Sequence, residues 1–210
     1  MNYRQEPLTR YLDDAAAARP TPGGGSVAAM AAALASTMAS MAAGFTAGKE
    51  KFKAVQPEIE TALGTLGKAR QLLVDLAHED MDAYEAIMAA YRMPKNTEAE
   101  KAARAEAVRG ATKESLRLVG RVLEAARQVL EISRRLADIA NPNLVSDVGV
   151  AAELALGAVR AARINIEVNL SGYADAADAA AIRKSSDETV ALAERMVQET
   201  RAVVMKQLAK

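Results

Sequence analysis

Between Ser26 and Gly48 the chain carries no charged side chain. A run of that length suits either a helix packed inside a bundle or a helix crossing a bilayer, which takes about 20 mostly apolar residues. Its make-up favours the first. Alanine dominates it, Ser36, Thr37 and Ser40 interrupt it, and the large residues are Val27, Met30, Leu34, Met38, Met41 and Phe45, three or four positions apart. That spacing gathers the bulk on one stripe of an α-helix and leaves the rest of its surface to small side chains, which let neighbouring backbones come close. Membrane insertion asks for a larger apolar payload than alanine supplies. Glu6, Asp13 and Asp14 stand where a secretory leader would be basic or apolar, so the expectation is a cytoplasmic protein without a membrane segment.

The remaining chain reads as helical throughout. Nearly a quarter of it is alanine, aromatic residues make up 3%, and Leu, Glu, Arg and Lys are frequent, a composition of strong helix formers. No stretch alternates apolar and polar long enough for a strand. Punctuation divides the chain. A first segment runs from about Pro7 to Ala18 and stops at Pro20; Pro20–Ser26 is Pro-Thr-Pro-Gly-Gly-Gly-Ser, with Ser26, or alternatively Gly25, as cap for the alanine-rich helix. A third helix is expected from near Pro57 to Tyr91, and a fourth from the capping box at Thr97–Glu100 to about Ala140, with a break near Gly110–Ser115. Ser146-Asp147 opens a fifth that ends near Gly172, and Ser185-Ser186-Asp187-Glu188 caps a last one. The predicted fold class is all-α, a single-domain bundle of long antiparallel helices spanning residues 1–210.

Composition narrows function as well. The 27 basic and 27 acidic side chains balance, which argues against a nucleic-acid partner, since phosphate neutralisation needs clustered excess cations. Absent cysteine removes thiolate metal sites and a cysteine nucleophile, and His78 is the one histidine; it lies off the apolar stripe and is expected at the surface. The informative residues are polar groups in phase with apolar faces. Asp80 continues the stripe Leu73, Leu76, Tyr84, Ile87, Tyr91. A buried carboxylate there needs a cation from a neighbouring helix, hydrogen-bond donors, or a reason to be poised. Asn165 and Asn169 likewise extend the face Ala151, Leu154, Ala158, Ala162, as an inter-helix amide network or as donors to a ligand. Asp147 sits where a helix N-terminus favours an anion, as cap or as ionised catalyst. The triple glycine can expose main-chain N–H groups to an anion, but no Gly-Lys-Ser/Thr follows, so it is not a Walker loop. Lys49 reads as a helix C-terminal dipole partner. Arg104, Arg109, Arg117, Arg121, Arg134 and Arg135, interleaved with Glu, read as a solvated face.

Five segments in register resemble the cyclodeaminase/cyclohydrolase family of folate enzymes. They are Pro-Thr-Pro-Gly-Gly-Gly-Ser at 20–26, Gly-Lys at 48–49, Glu-Asp-Met-Asp-Ala-Tyr at 79–84, Met-Pro-Lys-Asn-Thr-Glu-Ala-Glu-Lys-Ala-Ala-Arg at 93–104 and Asn-Pro-Asn-Leu-Val-Ser-Asp-Val-Gly-Val-Ala at 141–151. Met93, His78 and Pro142 depart from the family's pattern without removing a candidate catalytic group. The resemblance implies a helical homodimer with its folate site near the subunit interface, and no cofactor or metal beyond the tetrahydrofolate substrate. It implies hydrolysis of 5,10-methenyltetrahydrofolate to 10-formyltetrahydrofolate, towards which Pro-Lys-Asn-Thr leans. The alternatives are formiminotetrahydrofolate cyclodeaminase, which expels ammonia, and a folate-binding bundle without turnover. On this reading Asp80, or Asp147 as second choice, serves as base and counter-charge. Lys49 contacts a substrate carboxylate or tunes an aspartate. Asn143, Asn165 and Asn169 orient the substrate, and the main-chain donors of Gly24, Gly25 and Ser26 hold the pterin or the glutamate tail.

Overall fold

The computed structural model describes residues 2–209, and its regular structure there is entirely helical. Six α-helices follow in order: α1 Leu8–Ala16, α2 Gly24–Gly44, α3 Gln56–Arg92, α4 Glu98–Ile139, α5 Val145–Leu170 and α6 Ala176–Leu208. Short 3₁₀ turns at Glu50–Val55 and Pro142–Leu144 join α2 to α3 and α4 to α5. Pro57 occupies the first turn of α3, where its missing N–H is no loss. Thr97 and Glu100 close a reciprocal capping box at the start of α4.

The alanine-rich helix α2 packs most extensively on α5 and α3, and also meets α4. Ala28, Ala29, Ala32, Ala35, Ala39, Ala42 and Ala43 are all buried. Its bulky stripe faces outward instead: Val27, Leu34 and Phe45 are each about half exposed, and Met41 is 37% exposed. The small face thus permits close helix approach, while Ile59, Leu66, Leu73, Leu76, Val122, Leu130, Leu136, Val148 and Val159 from the other helices fill the core. Burying each Leu- or Val-sized side chain contributes about 1.5–3 kcal/mol. Helix α2 passes the length and hydropathy criteria for a membrane span, yet half of its most apolar window is buried against its neighbours.

Antiparallel neighbours are pinned by cross-helix bonds. Ser36 Oγ donates to the Leu66 carbonyl at 2.8 Å, Arg121 and Arg135 of α4 pair with Glu79 and Glu58 of α3, and Arg163 and Arg201 link α5 and α6 through Asp187 and Glu153. Asp80 lies level with Ser26, so the rest of α3 extends about 18 Å beyond the start of α2. With the first turns of α4 it forms a two-helix projection.

Helices α4 and α6 differ from the sequence expectation. Helix α4 runs unbroken through Gly110, because one helical glycine costs only about 1 kcal/mol. Helix α6 starts at Ala176, with Asp175 capping the Asp178 N–H at 2.9 Å. Ser186 is therefore mid-helix and buried, its hydroxyl returned to the Arg183 carbonyl.

Candidate active site

Three helices converge at the first turn of α2. Gly23, not Ser26, is its N-cap, which places Ser26 inside the turn with its N–H free of any intrahelical partner. That N–H donates to Asp80 Oδ2 of α3 at 2.9 Å. A Cβ on Gly25 would lie 2.1 Å from Asp80 Oδ1, and one on Gly24 would lie 3.0 Å from Asn165 Oδ1 of α5. The consecutive glycines are therefore needed for space: only bare backbone lets a carboxylate and an amide come this near the helix start. Tyr11 of α1 closes the back of the turn; it is buried, and its hydroxyl and Ser26 Oγ lie 3.0 Å apart.

Asp80 is half-buried and makes no ion pair among the described residues, so the cation expected as one alternative is not its partner. Burial pushes its carboxyl above the ordinary carboxylate range, and the Ser26 N–H opposes the shift without cancelling it. Tyr11 is also pushed up, chiefly by burial; the Ser26 hydrogen bond acts against this and the neighbouring Asp80 charge acts with it. Asn165 donates from Nδ2 to the Ala161 carbonyl of its own helix at 2.9 Å, which leaves its Oδ1 towards Gly24. One turn further on, Asn169 donates to Ser115 Oγ of α4 at 2.9 Å, an inter-helix bond of the structural kind.

Gly24, Gly25, Ser26, Asp80 and Asn165 are thus brought together, with Asn169 beside them. Lys49, Asn143 and Asp147 are not. They lie at the other end of the bundle, where the Asn141 N–H donates to Thr46 Oγ1; along α5, Asp147 stands about 27 Å from Asn165. Lys49 and Asn143 are exposed and Asp147 is half-buried. The side chain that orders the turn before α5 is Asn141, which accepts from the Asn143 N–H.

Sequence reasoning missed Tyr11, whose partner lies across a proline–glycine loop. It also missed a second buried carboxylate. Asp14 is 4% exposed and accepts from Tyr3 Oη (3.0 Å), Arg10 Nε (2.8 Å) and Arg19 Nη1 (2.6 Å). Burial alone would raise its pKa; the Tyr3 and Arg10 hydrogen bonds and the Arg10 and Arg19 charges outweigh that and hold it below the ordinary value. His78 is half-buried, not at the surface, with Nδ1 on the Val74 carbonyl and Nε2 buried without a protein partner. Arg104 leaves the solvated arginine face: its Nε donates to the Tyr91 carbonyl and its guanidinium lies 5.4 Å from the centre of the Tyr91 ring. Among the described residues no group of three or more acidic or histidine side chains is placed to hold a metal ion.

Further out, beginning about 10 Å along α3 from Asp80, lies a cavity of about 420 Å³ between α3, α4 and the end of α5. Chemically the arrangement offers a half-buried carboxylate with a raised pKa, main-chain and amide groups around it, and a nearby space large enough for an aromatic ligand.

The formiminotransferase-cyclodeaminase family profile matches residues 7–188. Methenyltetrahydrofolate cyclohydrolase of Methylorubrum extorquens is 34% identical over 172 residues, which cover 82% of this chain and 83% of that protein. Mouse formimidoyltransferase-cyclodeaminase is 30% identical over 80% of this chain, which spans 31% of the mouse protein. The crystal structure of formiminotetrahydrofolate cyclodeaminase from Thermotoga maritima superposes with a TM-score of 0.80 at 30% identity, covering 98% of this chain and 97% of that one.

Proposed function

The chain belongs to the formiminotransferase-cyclodeaminase family, and we propose that it hydrolyses 5,10-methenyltetrahydrofolate to 10-formyltetrahydrofolate, reversibly. The observation that carries this reading is Asp80: a half-buried carboxylate with no cation partner among the described residues, fixed to the start of α2 by one N–H. The likeness to the Methylorubrum cyclohydrolase over most of both chains supports the choice of reaction.

The methenyl carbon lies between two nitrogens that share a positive charge. It is electrophilic already, so the chemistry asks for no metal or second cofactor. When the cation enters, it supplies the counter-charge that Asp80 lacks and favours the ionised carboxylate. Asp80 then takes a proton from the attacking water as the C–O bond forms, giving a neutral carbinolamine. Collapse breaks the bond from that carbon to the ring nitrogen N5. The carboxylic acid returns its proton to N5, the hydroxyl proton leaves to solvent, and the formyl group remains on N10. Asn165 and the first N–H groups of α2 orient the pterin.

The exposed stripe Val27–Leu34–Met41–Phe45 supports a homodimer. Pairing α2 antiparallel with its copy across a twofold axis buries that stripe and carries the Lys49–Asn143–Asp147 end of one copy towards the Asp80 end of the other. In that assembly Lys49, Asn143 and Asp147 act on the partner's substrate, with Asp147 as second counter-charge. A cytoplasmic location fits a soluble folate enzyme whose apolar helix packs on its own copy.

The second reading, cyclodeaminase, is favoured by the Thermotoga neighbour; it forms the same methenyl cation while expelling ammonia. Purified protein is incubated separately with 5,10-methenyltetrahydrofolate and 5-formiminotetrahydrofolate, and the near-ultraviolet methenyl band and free ammonia are followed. Loss of the band above the spontaneous rate, without ammonia from the second substrate, is expected. Ammonia release identifies the deaminase, and no acceleration with either substrate identifies a bundle that binds without turnover.

A further inference from the structure

The proposed chemistry occupies only the pterin end of the substrate and leaves the cavity in the outer half of the α3–α4 projection unassigned. We propose that this cavity holds the aminobenzoyl-glutamate arm, with the aryl ring against Tyr91 and the glutamate carboxylates on Arg104 and Arg109; the proposal rests on the folate reading above.

Position is the first ground. Asp80, Tyr84, Ile87 and Tyr91 follow one another at spacings of four, three and four, so they share one face of α3. Ile87 and Tyr91 line the cavity, which begins about 10 Å along the helix from Asp80. Helix α5 leads the same way: Asn165 lies beside Gly24, and Asn169, one turn on, is in the cavity wall. A rigid arm leaving a pterin at Asp80 therefore runs along two helix faces into this space.

Chemistry is the second. Ile87, Val108 and Val168 give apolar walls, and Tyr91 and Tyr173 bring aromatic rings. Arg104 and Arg109 are the charged residues of the lining, with no carboxylate among them, whereas the adjoining cavity along α4 includes Glu106, Asp175 and Asp178. Arg109 is paired with Glu106. Arg104 has no acidic partner among the described residues; its Nε is spent on the Tyr91 carbonyl and its plane rests near the Tyr91 ring. That bond and the ring fix the guanidinium while leaving its terminal N–H groups for a carboxylate, which a planar fork receives in bidentate fashion. An aryl group joined to an anionic amino acid matches both the walls and the charge.

The test uses two substrates and one probe on the intact protein. The Arg104→Ala and Arg104→Gln variants, checked for unchanged melting temperature, are assayed with 5,10-methenyltetrahydrofolate and with the corresponding methenyl-tetrahydropteroate, which lacks the glutamate. A rise in KM on the order of tenfold to a hundredfold is expected for the glutamylated substrate, with little change in kcat and a much smaller rise for the truncated one. Calorimetry with p-aminobenzoyl-glutamate adds a readout independent of turnover. It should bind wild-type protein, bind Arg104→Ala and Tyr91→Leu at least tenfold more weakly, and lose affinity when replaced by p-aminobenzamide. Equal KM changes for both substrates, or p-aminobenzoyl-glutamate binding unaltered by Arg104→Ala, would overturn the assignment. Arg104-dependent binding in a protein that turns over neither folate would instead sink the reaction while leaving the arm site standing.

Discussion

Asp14, which is buried, and Asp80, which is half-buried, lie near the same end of the bundle, and their surroundings are opposite. Asp14 is ringed by a phenol and two guanidiniums that hold it ionised. Among the described residues Asp80 has a single main-chain N–H and no cation as partners, and burial raises its pKa. A carboxylate with all its partners is finished structurally; one with a vacancy for positive charge is available for a ligand. The pH dependence separates them. Asp14, lowered in the folded state, contributes stability that is present above its unfolded pKa and lost as pH falls through the folded value. Asp80, raised in the folded state, favours folding below its unfolded pKa, and that contribution is lost as pH rises through the folded value.

The largest expected effect comes from closing the space in front of Asp80. Gly25→Ala sets a methyl carbon 2.1 Å from Asp80 Oδ1, which must swing away, so turnover should fall at least as far as on deleting the carboxylate, with a circular dichroism spectrum still fully helical. Asp80→Asn should reduce kcat on the order of a hundredfold to ten-thousandfold. Its melting temperature should equal or exceed wild type at pH 7, and that difference should vanish below the unfolded carboxylate pKa. A lower melting temperature at neutral pH would place Asp80 with Asp14 as a structural group. Turnover by wild type should decline as pH drops through a pKa above the usual carboxylate value, read from kcat/KM with the spontaneous rate subtracted.

Asp14→Asn should act the other way round. Two guanidiniums lose their partner, the melting temperature falls at pH 7, and the deficit shrinks towards acid, while kcat changes far less than in Asp80→Asn. Loss of turnover matching that of Asp80→Asn, in protein still folded, would erase the distinction. Smallest is Tyr11→Phe, which removes one hydroxyl from Ser26. About 1 kcal/mol of stability in denaturant titration and only a modest change in rate are expected.

Much of this was legible in the residue order. The small-residue run foretold a helix that others could approach closely, and the phase of Asp80 with Leu73 and Leu76 placed a carboxylate at the edge of a buried face, although Tyr84 and Tyr91 further along the same stripe are exposed. The partner of that carboxylate was not legible, because the Ser26 amide is brought to it by tertiary packing across 54 positions. Asp147, Lys49 and Asn143 carry similar chemistry in sequence, yet their distance from Asp80 depends on helix length and direction, which motif spacing does not encode. Arg104 was hidden by its company: its neighbours on α4 pair with Glu at three or four residues' distance, and only the fold shows that α3 ends beside it. The start of α6 was misplaced because Ser185-Ser186-Asp187-Glu188 imitates a cap, while the working cap, Asp175, is a single aspartate three residues after Gly172.

The bond between the Ser26 amide and Asp80 also turns the opening turn of α2 into a gauge of the site's electrical state. A proton settling on the carboxylate weakens the pull on that amide, so its nitrogen-15 chemical shift should titrate along with Asp80. Fraying of a single helical turn, with no movement elsewhere, would release the Asp80 carboxylate. The pace at which this amide exchanges with deuterated solvent therefore meters how often that carboxylate is let go.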